Sequence, residues 1–233
     1  MKRERDSDAP AVLELHGVAK DYGDLIALQP TDLGVPAGQA VALVGHNGSG
    51  KSTLLRIVAG LLDATQGEIV VDGHPAGTPD ARAATSYVPD EPVLYDDLSV
   101  REHLLYVAAL HGAPVDDAKV DDLAGRLGLT GRVDDLPARF SRGLRQKASL
   151  AVGLVRPFSL LLIDEPFVGL DAPGRNALLE LLDEASEAGA TLVVATHDPT
   201  YVERVDRCVA LRDGHVVHDG AATPDDVLRL VGG

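Results

Sequence analysis

Residues 39–53 read QAVALVGHNGSGKST. The apolar run that ends at Val44 has the length of a buried strand, and STLLRIVAGLL from Ser52 onward has helical period, so a glycine-rich loop joins strand to helix. Gly45, Gly50, Lys51 and Ser52 occupy the fixed positions of the pattern G-x-x-x-x-G-K-S/T. Each residue type answers a chemical need. The glycines allow tight backbone turns and expose N–H groups to phosphate oxygens, the lysine reaches the β and γ phosphates, and the hydroxyl serves Mg²⁺. Gly45, Asn47, Gly48, Ser49, Gly50, Lys51, Ser52 and Thr53 are therefore candidate phosphate-binding residues, with Ser52 also a metal ligand. A plain glycine-rich turn is the alternative reading, and the flanking strand and helix argue against it. His46, inside the loop, is read as structural or solvent-exposed.

The run Leu160–Ile163 is continuously apolar, as in a strand buried on both faces of a parallel sheet. Asp164, Glu165 and Pro166 follow it, at the carboxyl end where open α/β sheets hold ligands. Side chains alternate along a strand, so the two acids need not share a role, and an acidic loop that merely caps the strand is the alternative reading of this segment alone. Asp164 suits Mg²⁺ through water, and Glu165 suits orienting or deprotonating a water that attacks the γ-phosphate. The same tripeptide also occurs as Asp90-Glu91-Pro92. There Pro89 and Pro92 bracket the acids, so this copy belongs to a loop.

With 233 residues, 45% of them hydrophobic, the chain can bury a full core. Its formal net charge of −15 argues against direct nucleic-acid binding, which needs clustered cations. The start, MKRERDSDAP, lacks the apolar segment of a secretory signal and is expected to form a flexible tail over residues 1–10. The most apolar stretch, ASLAVGLVRPFSLLLI, is broken by Arg156 and Pro157 and falls short of the roughly 20 residues of a spanning helix. Cys208 is the only cysteine, which excludes an internal disulfide and fits a reducing compartment. It is expected to be a small buried residue.

Outward from these motifs, VLELHGV, IALQPTDLGV and GEIVVDG read as strands. Ser99-Val-Arg-Glu102 is a capping box before HLLYVAALHG, and helical patterns follow over 116–127 and 143–155. Residues of about 90–157 are thus expected to form a mostly helical insert. LLLID, NALLELLDEASEAG, TLVVAT and the hairpin-like CVALRDGHVVHDG then restore the alternation of strand and helix. His215 and His218 are read as strand-surface residues flanking the hairpin turn.

With both phosphate-related motifs in hand, Phe140-Ser141-Arg142-Gly143-Leu144-Arg145-Gln146-Lys147 resembles the signature of ABC transporter ATP-binding subunits. Gly169-Leu170-Asp171 resembles the family's D-loop, Ala195-Thr196-His197-Asp198 its switch histidine, and Tyr22 stands where an aromatic stacks on adenine. The resemblance covers the chain from about Val12 to Gly220. It implies an α/β fold: a P-loop, RecA-like core with an antiparallel β portion and the inserted helical subdomain, within an ATP-binding domain spanning 11–233. It implies ATP and Mg²⁺ as ligands. Glu165 and His197 would be catalytic, and Tyr22, Ser141, Arg142, Gly143 and Asp171 would contact nucleotide or couple two sites. A helix amino end near Ser141 and Gly143 has the physics to hold an anion.

The implied partners are a second such subunit, arranged head to tail in a homodimer, and a separate transmembrane permease. The subunit would then lie in the cytoplasm, peripheral on the inner face of the membrane. The Ser-Arg-Gly signature leans towards export. One departure stands out: Asp90 sits where the family commonly carries glutamine. It is shorter and anionic, and is expected to serve Mg²⁺ with altered metal dependence. Two rival readings are an ABC-type ATPase acting on ribosomes or DNA, and a regulatory nucleotide-binding module. The first usually needs two ATPase domains or long coiled-coil insertions; Glu165 argues against the second.

Overall fold

The computed structural model describes residues 10–205 and 207–231. The expected tail lies, but for Pro10, outside the described residues. In chain order the elements are β1 (Ala11–Asp21), β2 (Ile26–Pro36), β3 (Ala40–Val44), α1 (Lys51–Val58), β4 (Gln66–Val71) and β5 (His74–Pro75). Next come α2 (Pro79–Ala84), β6 (Thr85–Val88), α3 (Val100–Leu110), α4 (Asp117–Arg126), α5 (Arg142–Leu154) and β7 (Leu160–Asp164). The chain continues with α6 (Ala172–Glu187), β8 (Thr191–Ala195), α7 (Pro199–Val202), β9 (Arg207–Arg212), β10 (His215–Gly220) and α8 (Pro224–Val231). The α/β class and the antiparallel portion match the expectation.

Two compact units divide these elements. The first takes the residues up to 87, 158–165 and those from 185 onward. It contains a four-stranded antiparallel sheet in the order β2-β1-β4-β5 and a six-stranded sheet in the order β10-β9-β3-β8-β7-β6. In the second sheet β3 pairs in parallel with both β8 and β9, and β7 with β8. Every residue of β7 and β8 is buried, which is why both read as unbroken apolar runs rather than alternating ones. Leu43, Leu162, Val193 and Val209 from this sheet join Leu15 and Val35 from the antiparallel sheet and Leu55 and Ile57 from α1 in one core. Cys208 is buried, and its thiol is pushed up to about 11 chiefly by that burial.

The second unit comprises residues 88–157 and 166–184. It is helical. Ser99, Asp116 and Ser141 cap α3, α4 and α5, and the capping box at Ser99 closes in both directions, with Ser99 N–H donating to Glu102 Oε2 at 2.7 Å. Arg101 reaches Asp117, Asp121 and Asp134 at 2.9, 2.8 and 2.8 Å, tying α3 to α4 and to the loop beyond it. The unit extends past the insert expected over 90–157 because most of α6 packs with it. Arg126 holds Glu184 with two hydrogen bonds of 2.7 and 2.6 Å, and Lys147 holds Asp171.

His215 and His218 both follow the hairpin turn, which is Asp213-Gly214, and lie on β10. Asp213 has φ 47° and Gly214 φ 77°, the two left-handed residues of a tight hairpin.

Candidate functional site

Parallel pairing decides which residues meet. Leu43 on β3 and Asp164 on β7 both stand opposite Ala195 on β8. The pairing runs on past the strands, with Glu165 N–H donating to Ala195 O at 2.8 Å and Thr196 N–H to Leu43 O at 3.0 Å. The phosphate loop, Asp164-Glu165 and His197 therefore leave the sheet together at its carboxyl edge.

Lys51, the first residue of α1, is 6% exposed. Its Nζ donates to Gly45 O at 2.7 Å and to His46 O at 3.3 Å, so the ammonium is held inside its own loop. Glu165 Oε1 lies 4.0 Å from that ammonium, and Glu165 Oε2 lies 3.0 Å from His197 Nδ1. Burial lowers the Lys51 pKa, and the charges of Glu165 and then Asp164 oppose the fall. The glutamate is 16% exposed along its side chain and takes φ 45°, a left-handed conformation unusual outside glycine. His197 is mostly exposed, with its Nδ1 against the glutamate.

The loop is clasped from behind by strand ends that the sequence does not mark as partners. A Cβ on Gly50, which has φ 106°, would stand 2.5 Å from Ala27 O, so β2 passes directly behind it. Gly214 N–H donates to Ser49 O at 3.1 Å, and Gln29 N–H donates to Gly214 O at 2.9 Å. His46 reaches Asp213 at 3.5 Å and Asn47 O at 2.8 Å, a structural setting for that histidine.

Two observations bear on what the loop can hold. Ser49 Oγ is buried with no hydrogen-bond partner, and Gly48, at φ 83°, has open space where a Cβ would point. Together with the amino end of α1, this is a donor-rich cradle suited to phosphate. Among the described residues no group of three or more His, Cys, Asp or Glu could hold a metal unaided. The Ser52 hydroxyl and the buried Asp164 carboxylate are hard oxygen donors that fit Mg²⁺ when phosphate oxygens complete the shell.

Tyr22 follows β1 in the same unit, in a turn closed by Tyr22 N–H donating to Leu25 O at 2.9 Å. The residue is 56% exposed, with Lys20 Nζ 5.0 Å from the ring centre. An aromatic face in water, next to a cation, is available for stacking.

The remaining candidates lie in the helical unit. Ser141 is exposed, and its Oγ accepts from Leu144 N–H at 3.4 Å as the cap of α5. Gly143 is required by packing alone, because a Cβ there would stand 2.6 Å from Gly169 O. Asp90 is exposed and lines an open groove of about 850 Å³ with Val93, Leu94, Asp96, Arg142 and Arg145. Asp171 Oδ1 lies 2.7 Å from Lys147 Nζ. Lys147 stands in the signature segment but its sequence carries no sign of a role, and the Asp213-Gly214 turn reads only as a hairpin. The turn signal was visible, but its contact with Ser49 depends on a strand crossing.

The model of the ABC transporter family matches residues 28–168, a span that includes the phosphate loop, Ser141–Gly143 and Asp164-Glu165 but not Tyr22, Asp171 or His197. The chain is 32% identical over 195 residues to the lantibiotic transport ATP-binding protein SrtF of Streptococcus pyogenes, 83% of each chain. It is 30% identical over 232 residues to the SkfA peptide export ATP-binding protein SkfE of Bacillus subtilis, 95% of this chain and 97% of that one. Among solved structures, a dimeric ATP-binding cassette in a post-hydrolysis state with ADP and Pi superposes with a TM-score of 0.82 at 25% identity, over 90% of this chain and 98% of that one.

Proposed function

This chain belongs to the ABC transporter family, and from that premise we propose that Lys51, Asp164, Glu165 and His197 carry out the ATP hydrolysis by which it drives a separate membrane permease. It is an ATP-binding, ATP-hydrolysing subunit of an ABC transporter. The observation that carries the residue roles is the meeting of Lys51, Glu165 and His197 at one sheet edge, at 4.0 and 3.0 Å.

The loop N–H groups and the Lys51 ammonium bind the β and γ phosphates of ATP, and the Tyr22 ring stacks on the adenine. Ser52 and Asp164 would hold Mg²⁺, with Asp90 as a further candidate; the ion would neutralise charge on the β and γ oxygens. Glu165 orients the attacking water and takes its proton at Oε1 or Oε2, while His197, with Nδ1 3.0 Å from the carboxylate, contacts the γ-phosphate.

Two copies pair head to tail, so that Ser141, Arg142, Gly143 and Asp171 of one meet nucleotide on the other. ATP closes the pair, hydrolysis reopens it, and the permease follows that motion. Among the described residues no helix is long and apolar enough to cross a membrane, so the subunit would sit on the inner face through its permease. Export is the favoured direction, because SrtF is a lantibiotic transport protein and SkfE a peptide export protein. Nothing in these relatives favours action on ribosomes or DNA. The test is Glu165→Gln: phosphate release should fall by about 10²- to 10³-fold while ATP binding persists and dimer accumulates. Undiminished phosphate release would remove Glu165 from the role of base.

A further inference from the structure

The amino end of α5 and the segment Gly169–Gly174 touch backbone to backbone. A Cβ on Gly174 would stand 2.7 Å from both Asp171 Oδ1 and Lys147 Cε, and one on Gly143 2.6 Å from Gly169 O. A buried ammonium runs through this junction. Lys147 is 8% exposed, whereas the Asp171 side chain, 2.7 Å from its Nζ, is 59% exposed. The same oxygen, Oδ1, accepts Gly174 N–H at 3.2 Å, so Asp171 also caps α6. Hydrogen bonding from Lys147 is the main reason the Asp171 carboxyl titrates below the usual range.

Both contacts use one carboxylate oxygen, which fixes the rotamer of Asp171. The Asp171 side chain stays 59% exposed beyond these contacts. Two loops that met a second subunit separately would each lose freedom on association. Loops already joined lose it on folding instead, and the encounter is spared that cost.

We propose that Lys147 is a positioning residue for the hydrolytic cycle, one that locks Asp171 to the signature helix so that both are presented to the second subunit as one surface. This rests on reading Ser141–Gly143 and Asp171 as the face that meets that subunit. The lock is asymmetric by construction. Removing the carboxylate strands a buried cation, whereas removing the ammonium leaves an acid that water can solvate. Lys147→Met, similar in length and uncharged, is therefore the clean probe, and Lys147→Arg keeps the charge.

The experiment uses the full chain and measures thermal midpoint, amide hydrogen exchange, and ATP hydrolysis as a function of protein concentration. In Lys147→Met the midpoint should stay close to wild type while the Gly174 amide exchanges about tenfold faster or more. Its kcat should fall about fivefold or more, with KM for ATP within about twofold, because the phosphate loop is untouched. Lys147→Arg should restore exchange and kcat. Wild-type exchange at Gly174 in folded Lys147→Met would overturn the lock, and so would loss of both properties in Lys147→Arg. If the dimer reading itself were wrong, wild-type turnover per chain would not depend on protein concentration. Exchange at Gly174 would still judge the lock.

Discussion

Asp90-Glu91-Pro92 and Asp164-Glu165-Pro166 carry the same three residues into opposite surroundings. The first copy is a loop in which both acids are exposed, beside an open groove that also holds Arg142 and Arg145. The second ends a strand buried along its whole length, where Asp164 is 1% exposed and Glu165 is bent to φ 45° between Lys51 and His197. In water a carboxylate keeps its solvation shell and gains little from a neighbour; in the interior a neighbouring charge is screened less. Identical letters thus acquire chemistry from the strand that delivers them.

The comparison breaks most readily at Glu165. Glu165→Gln should lower kcat by about 10²- to 10³-fold, the usual worth of a positioned base, measured as phosphate release with ATP saturating. A loss of less than about tenfold would mean that the second copy is as dispensable as the first. Asp164→Asn should act on metal rather than on turnover at saturation. For a residue that acts on Mg²⁺ through water, the Mg²⁺ concentration giving half-maximal hydrolysis should rise about 10- to 100-fold, and a curve superimposable on wild type would deny Asp164 its role.

Asp90 sharpens the contrast from the other side. An exposed acid contributes at most about 1 kcal/mol, so Asp90→Ala should shift the Mg²⁺ half-saturation by no more than about fivefold. A shift as large as that of Asp164→Asn would show that Asp90 too acts on the metal. Glu91→Gln is the smallest change, expected within about twofold of wild type in every one of these assays.

How far such differences can be read without coordinates varies from residue to residue. Pro89 and Pro92 declare a loop by their own chemistry, and Leu160–Ile163 declares a buried strand by its unbroken apolarity. Ser99 and Glu102 announce the start of α3, and the structure closes that box in both directions. These are local signals, carried by residues a few positions apart. Lys147 gives no such signal. Its partner Asp171 lies on another element, and the glycines that admit it, Gly128 and Gly174, look like ordinary turn residues in a linear reading. Ser141 illustrates a further gap, since a capping hydroxyl and a phosphate-binding hydroxyl have the same sequence pattern. In the structure its Oγ caps α5, an arrangement that a nucleotide on a second subunit would have to share.

By itself the chain's order of residues determined the strand–loop–helix of the phosphate site, the helical character of the middle, and the loop around Asp90. All of these follow from periodicity and turn chemistry within a few residues. Only the tertiary structure decided that Leu43 and Asp164 share Ala195 as a partner, and so that Lys51, Glu165 and His197 meet. It alone clasped the phosphate loop with Gly214 and tied Asp171 to Lys147. Parallel strands and buried charges find their partners across long stretches of chain, and the packing of the whole core selects those partners.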